Sequence, residues 1–214
     1  MTRDSDGVKR RTGGASRLRG HGPAGLFDAW VGVVRSPRSF FDRAITPGDQ
    51  QPGLVFAIAV GVVYVAGTLR FAPETVLGPD RVPVIGSSPL LTGFLLVLLT
   101  AVFFVPVLLH LLAAVQTVLL AVAVDDRAGV SETVQVLAYA TAPCAIAWIP
   151  FAPAQLLLAG YGAVLLAIGI SSVHGTSIPA GFGLSFIPSI VVFGWLFGGV
   201  SAGRETIALV LALS

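Results

Sequence analysis

The stretch AYATAPCAIAWIPFAP, Ala138 to Pro153, places Pro143, Pro150 and Pro153 inside an otherwise apolar run. In water each proline removes a backbone donor and crowds the preceding turn, at a cost of roughly 3 kcal/mol inside a helix. Within a membrane bundle the freed carbonyls can be taken up by hydroxyls, by facing helices or by local changes of helical pitch. The stretch therefore reads as a membrane hairpin. Pro143 kinks one span, with Thr141 or a facing helix meeting the carbonyls it frees, while Pro150 and Pro153 end that span and begin the next.

The rest of the composition agrees. The 214 residues are 55% hydrophobic and 11% charged, where a soluble domain carries about 25% charge, and the mean hydropathy is +0.87. Of the 13 Lys and Arg residues, Arg3, Lys9, Arg10, Arg11, Arg17, Arg19, Arg35, Arg38 and Arg43 all precede residue 44. By the positive-inside rule this basic amino end faces the cytoplasm of a multi-pass cell-membrane protein. The lone Cys144 cannot form an internal disulfide, and His21, His110 and His174 are too scattered for a metal site. No cofactor, metal or nucleic-acid partner is expected.

Residues 1–23 are polar, glycine-rich and aperiodic, and read as a disordered basic cytoplasmic tail. Over 24–48, Leu26, Phe27, Trp30, Val31 and Val34 recur at helical spacing, and Ser36-Pro37 opens a second short helix carrying Phe40 and Phe41. These amphipathic helices are expected to lie in the membrane surface through Trp30, Pro37, Phe40 and Phe41. Residues 49–214 form the transmembrane domain. Its five expected spans cover about 52–71, 90–124, 133–149, 153–173 and 184–203. Residues 90–124 carry no charge and, interrupted by Pro106, read as one long tilted or kinked helix. Ser131 is the expected cap of the third span.

Three segments together resemble the Yip family, small polytopic membrane proteins named for interacting with Ypt/Rab GTPases. They are Trp30…Ser36-Pro37-Arg38-Ser39-Phe40-Phe41, the series Tyr139…Pro143…Pro150, and Tyr161…Gly169-Ile170…His174-Gly175. The resemblance covers about residues 25–200. It implies a five-span helical bundle with a cytosolic amino terminus and no enzymatic activity. Eukaryotic members act in early secretory and Golgi membranes, oligomerise and bind Rab GTPases. Their cytosolic Asp-Leu-Tyr-Gly-Pro motif is absent here, so a Rab-type GTPase is not carried over as a partner. The bias of arginine over lysine suits a prokaryotic branch of the family.

Other chemistry is weighed residue by residue. Gly199-Val200-Ser201-Ala202-Gly203 matches the nucleophile-elbow pattern, but that motif needs a strand-turn-helix context and a base, whereas here it ends an apolar helix. Gly194-x-x-x-Gly198 and Gly199-x-x-x-Gly203 instead read as a helix-packing stripe. His110, as an ionisable residue within a span, is a candidate functional group, as are Tyr161 and His174. The ordinary reading of His174 is a solvated turn beside Ser171, Ser172 and Thr176. Tyr139, Thr141, Gln116 and Gln155 read as interhelical hydrogen-bond glue. Two functions remain open. One is an all-α, non-enzymatic membrane protein acting by membrane organisation, or by recruiting a protein partner or further copies of itself. The other is a small transporter or channel whose pore runs beside Pro106 and Pro143, lined by His110, Tyr139 and Thr141.

Overall fold

The computed structural model describes residues 23–78 and 80–214; the tail expected over residues 1–23 lies, apart from Pro23, outside them. The first two helices are α1, Pro23–Arg35, and α2, Pro37–Ala44. Pro37 takes the first helical position, where its missing N–H costs no hydrogen bond. They are followed by α3, Gln51–Phe71, and by α4, Pro89–Ala123. Next come α5, Val130–Ala140, and α6, Ala152–Val173. The chain closes with α7, Ile178–Leu196, and α8, Gly199–Leu213. Four of these, α3, α4, α6 and α7, are long and apolar enough to cross a membrane, and the protein is an all-α integral membrane bundle.

The segment over 133–149 is not the regular span that the sequence suggests. Its helix α5 stops at Ala140, and Pro143 sits in a 3-10 turn over Ala142–Ile146. The segment nevertheless runs beside α3 in the same direction. A Cβ on Gly53 would stand 3.0 Å from Gln135 Cα, and Gly67 faces the Trp148 ring. From Gly53 to Gly67 is about 21 Å of helix. A short helix keeps pace with a longer one because the 3-10 coil rises about 2.0 Å per residue, against about 1.5 Å in an α-helix. Ser131 does not cap α5. The cap position is Gly129, and the Ser131 hydroxyl instead accepts the Gly48 N–H at 2.9 Å.

Passes that follow one another along the chain alternate in direction. Gly61 of α3 lies against Val105 of α4, while Leu69 of α3 lies against Gly93, so these two helices are antiparallel. So are α6 and α7, with Gly181 against Ala167 and Gly162 against Phe193. Residues 89–123 form the single interrupted helix the sequence implies. A wide π turn over Thr100–Phe104 immediately precedes Pro106 and makes room for its ring.

The end of the chain differs from expectation. The span read at 184–203 is α7 over 178–196, opened by Ser177, whose hydroxyl accepts from Ala180 N. It contains Pro188, passes into a π turn over Ile190–Leu196 and breaks at Gly198, whose φ is 74°. Gly194 and Gly198 are therefore not a stripe along one helix: Gly194 meets Ile190 of α7 and Val200 of α8, and Gly198, beside the Tyr64 hydroxyl, makes the left-handed turn into α8. A two-residue glycine signal cannot tell a smooth groove from a helix break. Of the expected glycines it is Gly199 that packs closely on another pass, against Ala159 of α6, and further close approaches occur at Gly162 against the Phe193 ring, Gly181 against Ala167 and Ser171, and Gly169 against Phe41 and Val136. Without a hydrophobic drive between helices in lipid, such backbone approach supplies the packing.

These contacts predict a contrast. A Cβ at Gly181 would come within 2.5 Å of the Ala167 carbonyl oxygen, whereas one at Gly160 meets nothing within 4 Å. Gly181→Ala should cost about 1–3 kcal/mol, lowering the melting temperature in detergent by roughly 2–4 °C per kcal/mol. Gly160→Ala should melt with the parent.

Candidate functional site: a clamped amino-terminal platform and an intramembrane cavity

Around Pro143 and the turn that follows it, side-chain donors reach the carbonyls of the 138–149 segment. The Thr141 hydroxyl donates to the Ala138 carbonyl at 2.7 Å. The Trp30 indole Nε1 donates to the Ala142 carbonyl at 2.8 Å, from a residue 112 positions away. On the far side of the Ile149–Phe151 turn, Gln155 Nε2 of α6 donates to the carbonyls of Ala147 at 3.1 Å and Ile149 at 3.0 Å. Gln116 likewise crosses between passes, donating from α4 to the Leu184 carbonyl of α7 at 3.3 Å.

Trp30 belongs to a wider clamp. The Tyr161 hydroxyl of α6 donates to the Val34 carbonyl at the end of α1 at 2.5 Å. Gln135 of α5 pairs with Thr46 through both ends of its amide, accepting the Thr46 N–H at 3.1 Å and donating to the Thr46 carbonyl at 2.8 Å. The Ser172 hydroxyl donates to Asp42. Phe40 and Phe41 are 3% and 1% exposed, and Tyr139 lies edge-on to Phe40 with ring centroids 5.0 Å apart. Phe56 meets the same tyrosine ring at 5.0 Å. The reading of Phe40 and Phe41 as membrane-surface anchors is therefore corrected, while Trp30 is half-buried with its indole N–H turned to the Ala142 carbonyl. An amphipathic pattern shows that one face is apolar, and here that face is covered by α5 and α6 rather than by lipid. Phe27, 63% exposed, remains on the outer side.

His174 follows α6 directly and, contrary to the solvated-turn reading, is 2% exposed. The Thr133 hydroxyl already donates to the Gly129 carbonyl at 3.1 Å. It therefore accepts from His174 Nε2–H at 3.3 Å, which leaves Nδ1 as the bare nitrogen, without a partner among the described residues. Burial holds the imidazole neutral. Its pKa is pushed down from 6.5 to about 4, with Arg127 adding to the effect of burial and Glu132 opposing it.

A second feature lies between the passes. A cavity of about 280 Å3 is walled by α3, α4, the 130–149 segment and α7, with Gly61, Tyr64, Thr100, Leu137, Thr141 and Val192 among its lining. The groups proposed for a pore do not converge on it. Thr141 lines it, but Tyr139 is buried against Phe40 and Phe56. His110 is exposed on the outer side of α4, where its Nδ1–H donates to the Pro106 carbonyl at 2.7 Å. Ser201 of the hydrolase-like motif stands in the first turn of α8 and donates to the Gly198 carbonyl at 2.7 Å. Among the described residues no His, Cys, Asp and Glu group could hold a metal ion.

The family model described as the Yip1 domain matches residues 31–200. The chain belongs to the Yip1 domain family. No curated protein and no solved structure matches it. Each side chain of the clamp falls within the matched range except Trp30, which precedes it by one residue. In this Yip1 domain Tyr139, Pro143 and Tyr161, residues of the resemblance, lie where the amino-terminal helices meet the 130–149 segment and α6, while His174 joins the end of α6 to α5. Gln135, Ser172, Gly162 and Gly181 carried no motif, whereas Gly169 stands in the third segment of the resemblance. Gly162 and Gly169, seven positions apart on one helix, were the signal available for the close approaches.

Two outcomes follow. Trp30→Phe removes the indole hydrogen bond to the Ala142 carbonyl and should cost about 0.5–1.5 kcal/mol in thermal unfolding. For His174, the folded pKa lies below that of the unfolded chain, so the unfolded state binds more protons between about pH 4 and 6.5. The stability present above pH 6.5 should fall as the pH drops through that window. His174→Gln should flatten this part of a melting-temperature profile measured from pH 7 to 4.

Proposed function

We propose that this Yip1-domain protein performs no chemistry on a substrate and works as a membrane scaffold, recruiting a protein partner or further copies of itself through the amino-terminal platform. The clamp carries this reading. Helices α1 and α2 are held on the bundle by Trp30, Tyr161 and Gln135, so the exposed Arg35 and Arg38 stand on a fixed support rather than on a loose arm. A pre-ordered surface loses less conformational entropy when a partner binds.

The proposed placement is the cell membrane with the platform on the cytoplasmic side. Of 13 Lys and Arg residues, Arg70, Arg81 and Arg204 belong to the opposite end of the passes, and the excess at the platform end is the orientation the positive-inside rule favours. Rab binding is no part of the proposal.

Arg35→Glu with Arg38→Glu alters the platform's charge without touching the clamp. Partner or self-association captured by cross-linking in native membranes should drop about tenfold, a change of ~1.4 kcal/mol, at unchanged membrane abundance. Unchanged capture would remove the platform from the mechanism. A reporter active only in the cytoplasm should stay silent when fused after Ser214, and an active one would reverse the orientation.

A further inference from the structure

We propose that the intramembrane cavity is a binding site for one lipid acyl chain. Its position comes first. The contribution of α3, Ala57 to Val65, is the middle of Gln51–Phe71, and that of α4, Thr100 to Leu112, is the middle of Pro89–Ala123. The cavity thus lies at the depth of the hydrocarbon, where the surrounding solvent is lipid chain rather than water.

Its wall chemistry selects the occupant. No charged residue lines it. Both lining threonines are engaged with their own backbone, Thr100 with the Leu96 carbonyl and Thr141 with the Ala138 carbonyl, each at 2.7 Å, and the remaining polar side-chain group of the wall is the Tyr64 hydroxyl, at the Gly198 end. A polar solute would leave its hydrogen bonds behind on entry, and apolar cavities stay dry yet accept hydrocarbon, benzene fitting in roughly 150 Å3. The volume here is about 280 Å3. Phe104 and Leu196 stand at the rim, 45% and 41% exposed, so the cavity is continuous with the lipid-facing surface of the bundle.

The room is built by the backbone. Thr100 and Phe104 come from the π turn of α4, Val192 and Leu196 from the π turn of α7, and Thr141 from the junction between α5 and its 3-10 turn. Each of these irregularities lies within a few residues of a proline, Pro106, Pro188 or Pro143. Wide turns of this kind recur at functional sites. Gly61 contributes a wall without a side chain.

The test uses the full chain in vesicles of dioleoylphosphatidylcholine containing a phosphatidylcholine with a photoactivatable group in its acyl chain, with the sites of labelling mapped by mass spectrometry. Label should concentrate on Val105, Leu108 and Val192 above the level on the outer surface. Leu108→Trp and Val65→Trp, which fill the cavity from different helices, should each lower that labelling about tenfold. Val118→Trp, on the exposed side of α4, should leave it unchanged. Melting temperatures identify any filling variant that has lost its fold, and the other then decides. Labelling no higher in the cavity than outside, or insensitive to the folded filling variant, overturns the proposal. So does a protein-to-protein cross-link mapping to Leu108, which would make a second copy the occupant.

Discussion

A carbonyl released by a proline has no water to turn to inside a bilayer, and this constraint organises the protein around residues 138–153. Pro143 cannot donate to the turn before it, so α5 gives way to a 3-10 turn whose outward carbonyls need donors from elsewhere. Trp30 supplies one from the amino-terminal helices and Gln155 supplies others from α6. The break in one pass is thus what ties α1 and α6 to it, and an apparent defect becomes the junction of three elements.

The same economy governs the packing. Lipid tails are as apolar as leucine, so helices gain little from simply hiding hydrocarbon from one another. Contact must come from fit, and Gly162, Gly169 and Gly181 let rings and backbone approach where a Cβ would collide. Gly169 receives Phe41 of α2, which brings the amino-terminal platform into the core of the bundle. His174 belongs to this arrangement as well. Buried at the end of α6 and bonded to Thr133, it stays neutral, so the platform end of the bundle holds no uncompensated imidazolium at physiological pH.

Irregular backbone converges on the cavity. Pro106 is accommodated by the wide turn before it, a second wide turn follows Pro188, and these segments, together with the junction beside Pro143, face one another across the space between α3, α4 and α7. A bundle of uninterrupted helices could have closed that space with side chains. The clamp and the cavity lie on different sides of the 130–149 segment, with Thr141 and Leu137 toward the cavity and Ala142 toward Trp30. One short pass therefore supports both the platform and the hydrocarbon-lined space.

Much of this was legible in the amino-acid order. An uncharged run of 35 residues over Pro89–Ala123 admits little besides a membrane helix, and prolines at 150 and 153 admit little besides a turn, because these are local consequences of hydropathy and of a missing donor. The series Tyr139, Pro143, Tyr161 and His174 likewise pointed to the family. What an apolar face touches is not local. The pattern of Trp30, Phe40 and Phe41 is the same whether lipid or α5 and α6 cover it, and Gly194 and Gly198 spell a packing stripe and a helix break with equal ease. Only the tertiary structure decided these, since the Ala142 carbonyl that claims Trp30 lies 112 residues away, and the hydrogen bond exists only once the passes have assembled.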